Sequence, residues 1–305
     1  MNMIDQQFNE IFSRAKLSNR CVRVRLKTRS VGLTKRDKYA TSVVQNAMGD
    51  NGFTALLKLF KGEGNPVKAL ISQVASVRAY VRKHTLADEN DGVRLLPNRN
   101  YFEFTQAVGQ LINDVEAAKK VLAQHYQMCV DDDIRARNAG HAGRATLDDY
   151  PTWDEFDQKV GFRLTYEPMP DESHFMLDLT DEDRAEFVRS LDDANKRARA
   201  DCIARMLEPV SHLVAKLNVP IDSTDADGKK VGIFRDSALE NIREGLDVAA
   251  KLNVFDDPAI TAAIDGLRAA LNGVDVEALR SVPEARNAAK DRLAEIEAQM
   301  AAFMS

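Results

Sequence analysis

The sequence predicts an α+β fold, predominantly α: a long antiparallel helical hairpin with a small β-sheet at its base and a C-terminal helical bundle. Three observations point there. Apolar residues recur at +3 and +4 over two long stretches, about 101–130 and 180–218. Three short stretches, near 22–31, 92–96 and 160–167, read as strands, the first and last by alternating apolar and polar residues. The last third carries three further helical segments with start signals. These features divide the chain into a basic N-terminal α/β region (1–100), the hairpin with a strand-bearing insertion (101–220) and the bundle (221–305).

The elements follow in order. Val22, Val24 and Leu26 fall on one face of the first strand, and Arg23, Arg25, Lys27 and Arg29 on the other. Asp37 to Phe60 reads as a broken helix: Val43, Val44, Ala47 and Met48 form an apolar face, Gly49 and Asn51-Gly52 interrupt it, and Leu56, Leu57 and Phe60 resume it. Asn65 with Pro66 opens a helix running to about His84. The second strand, Gly92 to Leu96, stops at Pro97. Val108, Leu111, Val115, Ala118, Leu122, His125 and Cys129 then form one seam of a long helix. Asp131 to Asp149 is polar and reads as a loop. Thr152 and Glu155 make a capping box for a short helix, and Phe162, Leu164 and Tyr166 alternate with Arg163 and Thr165. Thr180 to Asp183 opens the longest helix, which Pro209 kinks and Pro220 ends. A polar loop at 223–230 precedes helices near 236–252, 258–272 and 283–303, the last two started at Asp257-Pro258 and Ser281 to Glu284.

Composition narrows the function classes. The chain has 305 residues, 44% apolar and 29% charged, enough to bury a core without disulfides or metal staples. No apolar h-region follows Met1 to Ala15, and no stretch approaches the ~20 apolar residues that span a bilayer, so no membrane association is expected. Cys21, Cys129 and Cys202 are odd in number and far apart, which suits a reducing, cytoplasmic setting.

The net charge of −5 hides a segregation. Residues 1–100 carry 18 Lys and Arg against 8 Asp and Glu, and the remainder carries 24 against 39. Within 11–40 there are ten basic residues and one acidic residue, Asp37. Arg23, Arg25, Lys27, Arg29, Lys35, Arg36 and Lys38 are therefore the candidate nucleic-acid-binding residues. Same-face strand neighbours lie ~6.6–6.8 Å apart, a pitch comparable with successive phosphates on an extended strand. The same pattern also suits an edge strand guarded by charge, or a surface that meets acidic parts of its own or a neighbouring copy.

No catalytic constellation emerges, and no cofactor or metal ligand is assigned. His125, Cys129, Asp131, Asp132, Asp133 and His141 are the densest cluster of metal-ligating types, yet His125 and Cys129 also fit the apolar seam. Cys21 lies beside Arg20 and Arg23, which would lower a thiol pKa, but no histidine is near in sequence. Neither Gly62-Glu-Gly64 nor Gly228-Lys-Lys230 has phosphate-loop spacing. Tyr101, Phe102 and Phe104 follow Arg94 and Arg99, which fits either base stacking or the start of a helix core.

From about Val67 to Leu271 the order of elements resembles a phage and bacterial family of unknown function. The likeness lies in Gly92-Val-Arg-Leu-Leu-Pro97, Val160-Gly-Phe-Arg-Leu164, and Phe234 to Leu239 continuing to Leu252-Asn-Val-Phe-Asp-Asp-Pro258. Genes of that family commonly neighbour those of a MoxR-type AAA ATPase and a von Willebrand factor A-type protein. The resemblance implies a phage-type protein of the host cytoplasm, an adaptor or substrate of an AAA ATPase, and carries over no functional residue. The expectation is a non-enzymatic interaction or assembly protein that forms a homo-oligomer. The alternative is a non-sequence-specific binder of single-stranded nucleic acid.

Overall fold

A nine-residue strand, β1 (Cys21–Arg29), follows a helical turn at Leu17–Arg20, as the alternation predicts. The computed structural model describes residues 17–88, 92–140, 145–169, 180–221, 223–224, 227 and 236–302. His141, Phe234 and most of the polar loop at 223–230 lie outside the described residues. After β1 come β2 (Thr34–Arg36), α1 (Lys38–Met48), β3 (Leu56–Lys58), α2 (Pro66–Lys83), β4 (Leu86–Ala87) and β5 (Arg94–Pro97). Helices α3 (Tyr101–Ala123), α4 (Tyr126–Gly140) and α5 (Trp153–Gln158) lead to β6 (Gly161–Pro168). The chain continues with α6 (Asp181–Asn218), α7 (Asp236–Leu252), α8 (Pro258–Leu271), α9 (Val276–Ser281) and α10 (Pro283–Ala302).

The α+β class, predominantly α with a small sheet, is what the chain adopts. The three strands expected from the sequence join β4 in one sheet of order β4-β5-β1-β6. Cys21 to Val24 pair antiparallel with Pro97 to Arg94. The chain divides into two compact units that interleave along the sequence, where three consecutive segments are expected. The first unit takes 1–24, 83–101 and 166–305, and the second takes 25–82 and 102–165. Strands β1 and β6 each pass from one unit into the other.

In the first unit α6 packs against α7 and α10, and α8 packs against α7 and α10. Its core holds Ile203, Met206, Val210, Leu213, Leu246, Ile264, Leu267 and Leu293. The second core gathers Phe60, Val67, Leu70, Val74, Val77, Val115, Leu122, Tyr126 and Phe156. The expected pairing of 101–130 with 180–218 is thus revised: α3 and α6 bury their apolar stripes in different cores. Periodicity tells which face is apolar, not which partner covers it.

Three further expectations are corrected. Helix α1 ends at Gly49, whose φ of +66° is the left-handed cap that glycine adopts without a Cβ clash. Leu56 and Leu57 do not resume the helix; they form β3, paired antiparallel with β2. The seam at 101–130 is two helices, since Gln124 and His125 close back on Val121 and Leu122 with i→i+3 bonds. Asp131 to Gly140 is helical, not loop. The caps are as the sequence predicts. Asn65 accepts from Val67 N (2.9 Å), Thr152 and Glu155 form a reciprocal box, and Thr180 and Asp257 cap α6 and α8. Helix α6 runs through Pro209 and ends before Pro220.

Guanidinium groups close the helix ends of the first unit. Buried Arg286 donates to the carbonyls of Lys216 (2.7 Å), Leu217 (3.0 Å) and Val219 (2.6 Å) at the C-terminus of α6, and to Leu279 (3.3 Å). A helix end leaves such acceptors without intrahelical partners, and a cation there also opposes the helix dipole. Replacing Arg286 by Met leaves these acceptors unmet and should cost about 2–4 kcal/mol. The single tryptophan, Trp153, belongs to the second unit. Far-UV circular dichroism should therefore register earlier urea unfolding of Arg286→Met, while the Trp153 fluorescence midpoint moves less.

Candidate functional site

The seven predicted cations do not share one fate. Arg23 lies against the buried carboxylate of Asp88 (Nε to Oδ2, 2.9 Å). It is therefore a structural ion pair, not an open phosphate contact. Arg25 is half-buried, whereas Lys27 and Arg29 are exposed. Lys35 donates to the carbonyl of Asp148 (2.7 Å) and pairs with Asp149 (3.0 Å). Arg36 and Lys38 are exposed, and among the described residues no carboxylate stands within ion-pair distance of either. Three other N-terminal cations are also committed. Arg20 bonds the Val254 carbonyl (2.7 Å) and Asp256 (2.6 Å), Arg94 bonds Thr85 and Asp201, and Arg99 bonds the carbonyls of Ala250, Lys251 and Asn253.

Lys35, Arg36 and Lys38 line one cavity of the second unit, of about 610 Å³. Arg137 supplies a fourth cation to its wall, and Asp37 and Asp149 supply carboxylates. Local chemistry places the first group. The β2–β3 pairing holds Lys35 and Arg36, and Asp37 caps α1 by accepting from Ala40 N (2.8 Å). Arg137 comes from α4, about a hundred residues on, and Asp149 from a 3₁₀ turn at Leu147–Asp149.

Beside this wall a buried carboxylate organises the second unit. Asp133 accepts from Phe60 N (2.7 Å), Lys61 N (2.9 Å), the Tyr150 hydroxyl (2.6 Å) and Arg137 Nε (2.9 Å). Burial pushes its carboxyl upward, but these four donors outweigh that and hold it below the ordinary carboxylate range. Tyr150 moves upward through burial and its bond to Asp133. For Asp149, burial is outweighed by the Thr146 amide and Lys35, so it too lies low. Aromatic rings surround the cluster: Phe60 meets Tyr150 edge-on at 5.2 Å, and Tyr126 lies 5.2 Å from Phe156 and 5.4 Å from Trp153. Phe60 holds φ of +53°, a left-handed conformation costing ~1–3 kcal/mol in a non-glycine residue. Its amide bond to Asp133 helps hold it there.

The remaining candidates are placed as follows. His125 is exposed and leaves the seam position to Tyr126. Asp131 to Asp133 lie inside α4, not at a helix end. Among the described residues no group of three His, Cys, Asp or Glu gathers to hold a metal ion. Cys21 is buried, and its thiol is pushed up to about 12 by desolvation despite Arg99 and Arg20. Cys129 and Cys202 are also raised by burial, so none of the three is an activated thiolate. Phe104 is buried while Phe102 is exposed. Among the described residues no helix is long and apolar enough to cross a membrane. No family model, curated protein or solved structure matches the chain.

Asp133→Asn should destabilise the second unit by about 2–4 kcal/mol, since Arg137 loses its counter-charge and one acceptor is lost. The native carboxyl lies below its unfolded value, so its stabilisation is complete above the unfolded pKa. It is lost as pH falls through the native one. Trp153 fluorescence in urea, followed from neutral to acid pH, should show that part of the slope missing in Asp133→Asn.

Proposed function

We propose that the protein is a non-enzymatic interaction protein that self-associates, and that α1 with β3 forms its docking face. The observation that carries this reading is the exposure of an amphipathic helix. Of α1, only Thr41 is buried. Met48 is 66% exposed, Tyr39 55% and Val43 47%, and Leu56 of β3 adds a side chain that is 65% exposed. Four exposed apolar side chains within one helix and the strand that follows it are candidates for a contact surface. A second copy fits as occupant by charge. The second unit carries 18 Lys and Arg against 14 Asp and Glu, and the first carries 24 against 33. Lys38 and Lys58 flank the apolar face, so the acidic unit of the next copy complements it and generates a head-to-tail array. The family context implied by the resemblance makes an AAA ATPase the heterologous partner to test alongside.

Size-exclusion chromatography with light scattering checks this. The wild-type chain should run as an oligomer that shrinks at high salt, and Val43→Asp with Met48→Asp should weaken association by about tenfold or more. A monomer at every salt concentration rejects self-association.

A second reading, binding of single-stranded nucleic acid, is favoured by the exposure of Lys27, Arg29, Arg36 and Lys38. Oligonucleotide affinity should fall steeply with salt, and replacing these four by Gln should reduce both the affinity and the salt slope. Unchanged binding by that variant removes this reading.

A further inference from the structure

We propose that the cavity walled by Lys35, Arg36, Lys38 and Arg137 is a binding site for a phosphomonoester ligand of nucleotide size. Its volume, about 610 Å³, lies within the ~300–1,000 Å³ typical of small-molecule sites. Among the described residues the wall holds four cations and two carboxylates, and Arg137 is further paired with Asp133, which leaves a surplus of one positive charge. The carboxylates are already engaged: Asp37 caps α1, and Asp149 takes Lys35 and the Thr146 amide (3.1 Å).

The positive groups are not all engaged. Arg36 and Lys38 stand apart from any carboxylate among the described residues. Arg137 spends its Nε on Asp133 and the Tyr150 oxygen, but its Nη2 is buried with no hydrogen-bond partner. A buried donor without an acceptor costs free energy, so Arg137 is a strained part of the wall. Two uncommitted cations, Arg36 and Lys38, match a dianionic group better than a single carboxylate. The tetrahedral phosphoryl group of a monoester offers three oxygens to such donors.

The rest of the wall sets the ligand's size and character. Tyr39 lines the same cavity next to Lys38, and the Asn138 amide beside them is held by Ala145, accepting from its N–H (2.9 Å) and donating to its carbonyl (3.2 Å). Basic groups beside an exposed ring suit a phosphate joined to a nucleobase, since every base has a face that stacks. One chemistry can come from two sources here, a free mononucleotide or the 5′-phosphorylated end of a single strand. The proposal rests on the cavity and not on self-association, although Lys38 and Tyr39 belong to both surfaces.

Calorimetric titration of the full chain tests it, with AMP, adenosine, inorganic phosphate, and a short oligonucleotide with and without a 5′-phosphate. AMP should bind, and adenosine should not. Arg36→Gln and Lys38→Gln should each weaken AMP by about tenfold, as expected for one charge-assisted contact. Both residues are exposed, so the Trp153 unfolding midpoint should stay at the wild-type value. Lys27→Gln with Arg29→Gln should leave AMP affinity unchanged, which separates this site from the β1 cations. Binding of only the 5′-phosphorylated oligonucleotide, lost in Arg36→Gln, supports the site and assigns its ligand to strand ends. Failure of AMP, phosphate and the 5′-phosphorylated strand to bind overturns the proposal. So does AMP binding that Arg36→Gln and Lys38→Gln leave intact.

Discussion

One buried carboxylate holds the second unit in its arrangement. Asp133 lies on α4 and draws in two amides at 60–61, a hydroxyl at 150 and a guanidinium one helical turn away. These groups come from three stretches that the chain separates by up to 90 residues. A buried charge survives only when it is fully paired and hydrogen-bonded, and this one is met on both oxygens. The β2–β3 ribbon is tied to the same place, because Leu59 N bonds Leu33 O just before Phe60. The wall of the basic cavity therefore inherits its geometry from Asp133: the ribbon positions Lys35 and Arg36, and the carboxylate orients Arg137.

Arginine does different work in the first unit. Arg20, Arg99, Arg205 and Arg286 all donate to backbone carbonyls, several of them at helix ends. A planar guanidinium reaches several such acceptors at once with donors held in a fixed fork. This explains why a charge tally along the sequence overstates the reactive surface. Arg20, Arg23, Arg94 and Arg99 all count toward the basic N-terminal region, yet carbonyls and carboxylates engage each of them. The tally sees charge and is blind to the partner.

Local chemistry was legible in the sequence, and long-range partnership was not. Asn65-Pro66, Thr152 with Glu155, Thr180 and Asp257 carry their helix starts in the residues themselves. The alternation in β1 and β6 likewise foretold one sheet. The split between α3 and α4 was hidden because the +3, +4 spacing continues through Leu122 and Cys129, both buried, while the turn at Gln124-His125 hands the intervening position to Tyr126. Asp131 to Asp133 read as loop on composition alone, since the donors that satisfy Asp133 lie elsewhere in the chain. Of the cavity, Lys35, Arg36 and Lys38 were visible as a basic run. Arg137 and Asp149 were not, although Asp133 and Arg137 at an i,i+4 spacing are a signal that a search for paired charges would have raised.

The interleaving of the two units bears on the order in which the chain matures. Every residue of the second unit has been synthesised once residue 165 is added. The opening half of β1, by contrast, belongs to a core whose members extend to Leu293 and Met300. Cys21 shares that core with Leu293 and Met300 of α10. During synthesis this half of β1 therefore precedes the helices that complete its core, an interval in which unpaired strands attract wrong partners and holding chaperones have their opportunity.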